Sequence, residues 1–209
     1  MIYITNEGGR TCAKPADFPD SRGAGVSLRT AEGNPLFCGE GGLNDLGREC
    51  KEYDPAAGEW SDGPDMLEER IRASSVELAN GTFWVLGSYV YPEKYTSELY
   101  QEGGFVQGPE LPHDNADIVG CAAHVTDSVT FYAKYASYLY DGDGGEFVRT
   151  SDSMPEDADH AFCGTITRED GSKMVVVAGG YDHPYTRTST QLYDLNTGRE
   201  YTDDIIDKT

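Results

Sequence analysis

The sequence predicts an all-β chain built as a repeat array, with a two-stranded half unit at the N-terminus and four four-stranded antiparallel units after it. Three observations carry this prediction. Four segments repeat one order of signals: a small-residue strand, an apolar strand closed by glycine, a strand ending in Tyr, then a turn and an aromatic strand. The composition, with 25 Gly, 10 Pro, 14 Tyr and 11% aromatic residues in 209, is too aromatic for a disordered chain and too glycine-rich for a helical bundle. A chain of this length buries about 70% of its unfolded surface when compact, enough for a real core.

The first strands of the units read RGAGVSL (22–28), RASSVEL (72–78), VGCAAHV (119–125) and AFCGTIT (161–167), small-residue runs suited to a crowded axis. The second strands read LFCGEGG (36–42), FWVLGS (83–88), the weaker TFYAKY (130–135), and MVVVAGG (174–180). Between first and second strands, Asn80-Gly81 and Asp170-Gly171 favour the primed turns of two-residue hairpins. Third strands end at Tyr53, Tyr100, Tyr140 and Tyr193, before the turns DPAAGE, QEGG, DGDGGE and DLNTGRE. Trp60, Phe105, Phe147 and Tyr201 follow on the fourth strands, and the first three lead on to Met66-Leu67, Leu111-Pro112 and Met154-Pro155. Tyr3, Gly8-Gly9, Cys12 and Phe18-Pro19 repeat the outer half of this template. The whole of 1–209 therefore reads as one array, with a half unit over 1–20 and units over about 21–67, 68–112, 113–155 and 156–204.

One segment competes. Residues 66–79 (MLEERIRASSVELA) place Leu67, Ile71, Ser75 and Leu78 near helical spacing. The equivalent segments HDNADIVGCAAHV and EDADHAFCGTIT are poor helices, and stacked repeats share secondary structure, so a strand is expected here.

An apolar strand ending in Gly-Gly, then Tyr-Asp, a turn, Trp and Met resembles the kelch repeat, and its strongest copy is CGEGG (38–42), Tyr53-Asp54, Trp60 and Met66. The second strongest is AGG (178–180) with Tyr193-Asp194 and Tyr201. The resemblance implies a partial β-propeller of about four blades plus an N-terminal half blade, and the Cys38 and Cys50 positions make it most similar to the cysteine-bearing kelch domains of secreted animal proteins. Three positions depart from the pattern: GSY around Tyr89, AKY (133–135) in place of Gly-Gly, and Cys12 in place of an outer-strand aromatic. Propellers of this kind usually close with six or seven blades, so the chain reads as a fragment or an open arc whose ends favour self-association.

With 37 acidic against 16 basic residues the formal charge is -21, which opposes binding to nucleic-acid phosphates and anionic lipid surfaces. No run approaches the roughly 20 apolar residues of a membrane span. Residues 1–10 have neither the basic start nor the apolar centre of a signal peptide, so the sequence assigns no compartment by address. The five cysteines include no CxxC pair and build no zinc site. Cys38 ends one strand and Cys50 begins the next, which places them opposite each other for a disulfide in an oxidising compartment. That pair and the resemblance favour an extracellular protein. Cys12 is left over, open to a cysteine outside this chain or to competition for Cys38; Cys121 and Cys163 read as buried, reduced residues of matching first strands.

DGDGGE (141–146) has the alternating carboxylates of a calcium loop but lacks its further ligands, and a solvated hairpin is expected there. The four histidines show no HxH or HExxH spacing, so no metal and no cofactor are assigned. Asn80-Gly81-Thr82 is a glycosylation sequon as well as a turn.

Function is expected to be non-catalytic: a protein-interaction module that presents the loops of one propeller face. Candidate contacts are Arg22, Arg70, Arg72, His113 and His160 in the fourth-to-first-strand connections, and Tyr89, Tyr91, Tyr95, Tyr181, His183, Tyr185 and Arg187 in the second-to-third-strand loops. The acids around them make a basic protein the expected partner. Two alternatives stand beside this: a galactose-oxidase-like enzyme holding copper by Tyr and His around His183, and a structural extracellular component cross-linked through its cysteines.

Overall fold

In the computed structural model, antiparallel pairing accounts for every regular element, and none of the described residues is helical. The residues described are 4–5, 12–13, 16–19, 25–39, 47–78, 80–87, 95–112, 119–125, 128–133, 137–141, 145–151, 162–178, 181–182, 185–186, 190–194 and 199–201. β1 (Ile4–Thr5) and β2 (Cys12–Ala13) form a two-stranded sheet. The first four-stranded sheet runs β3 (Val26–Arg29), β4 (Pro35–Cys38), β5 (Cys50–Asp54) and β6 (Glu59–Asp62). The second runs β7 (Ser74–Glu77), β8 (Phe83–Leu86), β9 (Ser97–Gln101) and β10 (Gly104–Gln107). The third runs β11 (Val119–Val125), β12 (Ser128–Ala133), β13 (Ser137–Asp141) and β14 (Glu146–Ser151). The fourth contains β15 (Phe162–Thr167) and β16 (Lys173–Ala178), then, after a hairpin of β17 (Tyr181–Asp182) and β18 (Tyr185–Thr186), β19 (Thr190–Asp194) and β20 (Arg199–Tyr201). The β17–β18 hairpin has no counterpart in the sequence reading.

Residues 66–73 are irregular, with bends and a single bridge at Arg70, and lead into β7, so the helical spacing is not realised over the described residues 66–78. Its pattern is one of alternation: Met66 and Arg70 are buried while Leu67 and Glu69 are exposed.

The turns between first and second strands differ from expectation. Gly81 has φ +83° and donates to Leu78 O, while Leu78 donates to Thr82 O. Gly171 repeats this with Arg168 and Ser172, and Gly33 with Thr30 and Asn34. A primed two-residue turn led by Asn80 or Asp170 requires positive φ there, and neither residue has it. These are three-residue loops in which glycine supplies the left-handed residue of a bulge. The primed turn occurs instead at Glu102-Gly103, with φ of 52° and 80°, between the paired residues Gln101 and Gly104. DPAAGE and DGDGGE share a third turn, in which Gly58 donates to Asp54 O and Gly145 to Asp141 O.

The third-strand tyrosines meet their aromatic partners across the sheet: Tyr53 faces Trp60, Tyr100 faces Phe105 and Tyr140 faces Phe147, with ring centroids 5.0, 5.0 and 4.8 Å apart. In the fourth sheet Tyr193 faces Glu200, and Tyr201 faces Leu192. The register alignment of Tyr201 with the other aromatics is thus off by one residue. Cys12 faces Thr5, two positions away from the alignment with Tyr3.

Packing follows from alternation along β8, whose four residues are all buried. Phe83 and Val85 pack toward the first sheet with Val26, Leu28, Leu36, Met66 and Tyr100. Trp84 and Leu86 pack toward the third sheet with Val76, Leu111, Val129, Phe131 and Tyr138. The second sheet is covered on both faces, and each such buried side chain contributes roughly 1.5–3 kcal/mol. On its other face the first sheet carries Phe37 and Trp60, and Phe18 packs edge-on to both, while Trp60 Nε1 donates to Ala16 O at 3.2 Å. The first strands lie beside one another in the order β3, β7, β11, β15. Ser75 Oγ donates to Ser27 O across the first of these junctions at 3.0 Å, a contact that requires small residues.

Cys38 and Cys50 are directly opposite in β4 and β5 and are joined by a disulfide, as the spacing predicts. Cys163 is also disulfide-bonded, which corrects its reading as a reduced residue. The side chains of Cys12 and Cys121 lie outside the described residues, as does the partner of Cys163.

Candidate functional site

An antiparallel up-and-down order sends alternate connections to opposite edges of each sheet. Turns joining first to second and third to fourth strands gather on one edge. Connections from second to third strands, and from each sheet to the next, gather on the other. The acids of the turn edge have turn-forming work to do. Asp54 Oδ1 accepts from the Ala56 and Ala57 amides at 2.7 and 3.1 Å. Asp170 Oδ1 accepts from Ser172 Oγ at 2.6 Å and Ser172 N at 2.9 Å, and these bonds hold the Asp170 carboxyl below its ordinary range.

The connection edge is organised around residues 63–73, which link the first sheet to the second. Gly63 N donates to Cys50 O, Met66 N to Arg48 O and Arg70 N to Gly47 O, so this link runs beside the end of the β4–β5 connection. The first two bonds recur one repeat later, as Gly108 N to Ser97 O and Leu111 N to Tyr95 O. Glycine is required at both starts. A Cβ at Gly63 would come within 2.6 Å of Leu36 Cδ1, and one at Gly108 within 2.5 Å of Ser97 Oγ.

Arg70 turns inward and is 1% exposed. Its Nε donates to Glu98 Oε1 at 2.9 Å, its Nη1 to Gly87 O at 2.9 Å and Thr96 O at 3.0 Å, and its Nη2 to Thr96 Oγ1 at 3.2 Å. Glu98 accepts in turn from the backbone amides of Leu67 at 2.7 Å and Glu68 at 3.2 Å, and Thr96 Oγ1 donates to Glu68 Oε2 at 2.8 Å. One buried ion pair therefore joins the inter-sheet link to both ends of the β8–β9 connection. Burying two charges is costly unless their hydrogen bonds are made, and here they are made to backbone at both partners.

Arg70 is thus a scaffold for this edge, which corrects its assignment as a surface anchor. Leu67, 46% exposed, and Glu69 and Arg72, both exposed, stand outward on the same link, with Arg72 held at φ +56°. Tyr95 is half-buried against the core shared by the second and third sheets. The backbones of Tyr181 and Tyr185 lie on the two strands of the β17–β18 hairpin. Arg22, Tyr89, Tyr91, His113, His160, His183 and Arg187 lie outside the described residues. Asn80 is exposed on the opposite, turn edge.

The residue that sequence reasoning missed is Glu98. Its signal was available: the corresponding third-strand positions hold Lys51, Tyr138 and Gln191, so a carboxylate beside Leu99 and Tyr100 is specific to the second unit and calls for a cation. Among the described residues no group of three His, Cys, Asp or Glu side chains could hold a metal ion, and no helix is long and apolar enough to cross a membrane. The sequence matches no protein-family model and no curated protein with which it was compared.

Proposed function

We propose that the chain is a non-catalytic protein-interaction module with a kelch-like propeller arrangement, binding its partner on the edge formed by the inter-sheet links and the second-to-third-strand connections. The observation that supports this is the Arg70 network. A buried ion pair fixes the link carrying Leu67, Glu69 and Arg72 against both ends of the β8–β9 connection, so a loop surface is held rigid without a helix or strand of its own. Preorganisation of this kind lowers the ordering cost of association. Side-by-side packing of the four first strands is the arrangement a propeller axis requires. The partner is a basic protein segment, attracted by the net charge of -21 and anchored at Leu67 and Glu69.

A library of displayed peptides selected on the immobilised protein tests this reading. Lys- and Arg-rich sequences should be enriched, their association should slow as salt rises, and Glu69→Lys should abolish capture. Asp141→Lys and Glu169→Lys, on the turn edge, should leave capture intact apart from a small general loss. Equal losses from the two edges, or no enrichment of basic sequences, would remove the case for this edge.

A further inference from the structure

We propose that Asn80 is an N-glycosylation site, occupied when the chain passes through an oxidising secretory compartment, with its glycan standing on the edge opposite the inter-sheet links. Asn80-Gly81-Thr82 satisfies the acceptor pattern, in which the middle residue is not proline. It sits at the tip of the β7–β8 hairpin, where Asn80 is exposed and a Cβ built on Gly81 meets no atom within 4 Å. A bulky glycan has room there.

The local hydrogen bonds suit the modification. Asn80 Oδ1 accepts from Thr82 N at 3.0 Å, which turns one branch of the amide toward the backbone and leaves Nδ2, the atom that takes the sugar, on the other branch. The Gly81 amide donates to Leu78 O at 2.9 Å. That nitrogen is the one whose attack on the Asn side chain would convert Asn-Gly to aspartate, so its engagement protects the amide. Thr82 is buried in the folded hairpin, which is no obstacle, because transfer takes place on the extended chain and the folded protein has only to leave space for the product.

Redox chemistry supplies the independent observation. Cys38 is bonded to Cys50, and Cys163 is bonded as well, and such bridges form in the compartments where N-glycosylation occurs. In the transfer, Nδ2 attacks the anomeric carbon of a lipid-diphosphate-linked oligosaccharide. The N–C bond forms as the C–O bond to the diphosphate breaks, the lipid diphosphate leaves with the electron pair, and one Nδ2 proton passes to the transferase base. Nothing is oxidised or reduced.

The full chain, secreted from eukaryotic cells behind a heterologous leader, provides the test. Peptide-N-glycosidase in heavy-oxygen water should increase its gel mobility and leave heavy-oxygen-labelled aspartate at position 80. Asn80→Gln should remove the shift, and Thr82→Ser, which keeps the acceptor pattern, should retain it. Secreted wild-type protein that contains the Cys38–Cys50 bridge but carries unmodified Asn80, or aspartate without the label, would overturn the proposal. That reading uses wild-type protein alone, so it holds even if a variant fails to fold.

Discussion

The Arg70 guanidinium lies 2.9 Å from the Glu98 carboxylate, and the two side chains retain 1% and 0% of their exposure although 28 positions separate them in the sequence. Neither charge has solvent to fall back on. Arg70→Met should therefore lower stability by about 3–5 kcal/mol, because it strands Glu98 in the interior. The double variant Arg70→Met, Glu98→Leu should recover a large part of that loss. Urea denaturation of the single and double variants measures both, and additive losses would show that the charges are not coupled.

Disulfide mapping should return two bridges. Cys38 pairs with Cys50, Cys163 pairs with another cysteine, and of the five cysteines one thiol remains to be alkylated. Cys38 and Cys50 are 12 positions apart, so the double replacement by Ala should cost roughly 2–4 kcal/mol, chiefly by freeing the unfolded chain. Recovery of alkylated Cys163 from unreduced protein would contradict the bonding described.

A stabilising change is expected at Glu102, which has φ 52° at the first position of the primed turn between β9 and β10. That conformation costs an ordinary residue about 1 kcal/mol or slightly more, whereas Gly and Asn adopt it readily. Glu102→Gly or Glu102→Asn should raise the unfolding free energy by about 0.5–1 kcal/mol. Unchanged or lower stability in both variants would show that the turn is not strained.

Alkaline pH should expose Tyr100, whose phenol is 4% exposed. Burial, then the carboxylates of Glu52 and Glu32, push its pKa above the ordinary value of 10.0. The folded state thus holds the proton more tightly than the unfolded chain. Its contribution to stability is complete below the unfolded pKa of about 10 and is lost as pH rises through the higher folded value. Tyr100→Phe should flatten the fall in stability above about pH 10, and denaturation curves of equal pH slope in both proteins would refute the assignment.

Much of the architecture was legible because it is local. Glycine-closed apolar runs, the tyrosines before turns and the aromatics after them recur along the chain, and Tyr53, Tyr100 and Tyr140 do face Trp60, Phe105 and Phe147. Cys38 and Cys50 were legible for the same reason, since one short connection sets them opposite each other. What failed was whatever depended on a single step of register or on a partner distant in the sequence. Tyr201 was aligned with the aromatics, but one extra residue placed it opposite Leu192, because alternation along a strand reverses with each position. Asn80-Gly81 marked a turn, yet the pairing of Leu78 with Thr82 selected its type. Arg70 read as a surface cation, since arginine usually is one and nothing in its adjacent residues suggests otherwise. Only tertiary packing brought Glu98, 28 positions further along the chain, to within hydrogen-bonding distance, with the carbonyls of Gly87 and Thr96, and a charge can leave water only where that many partners converge.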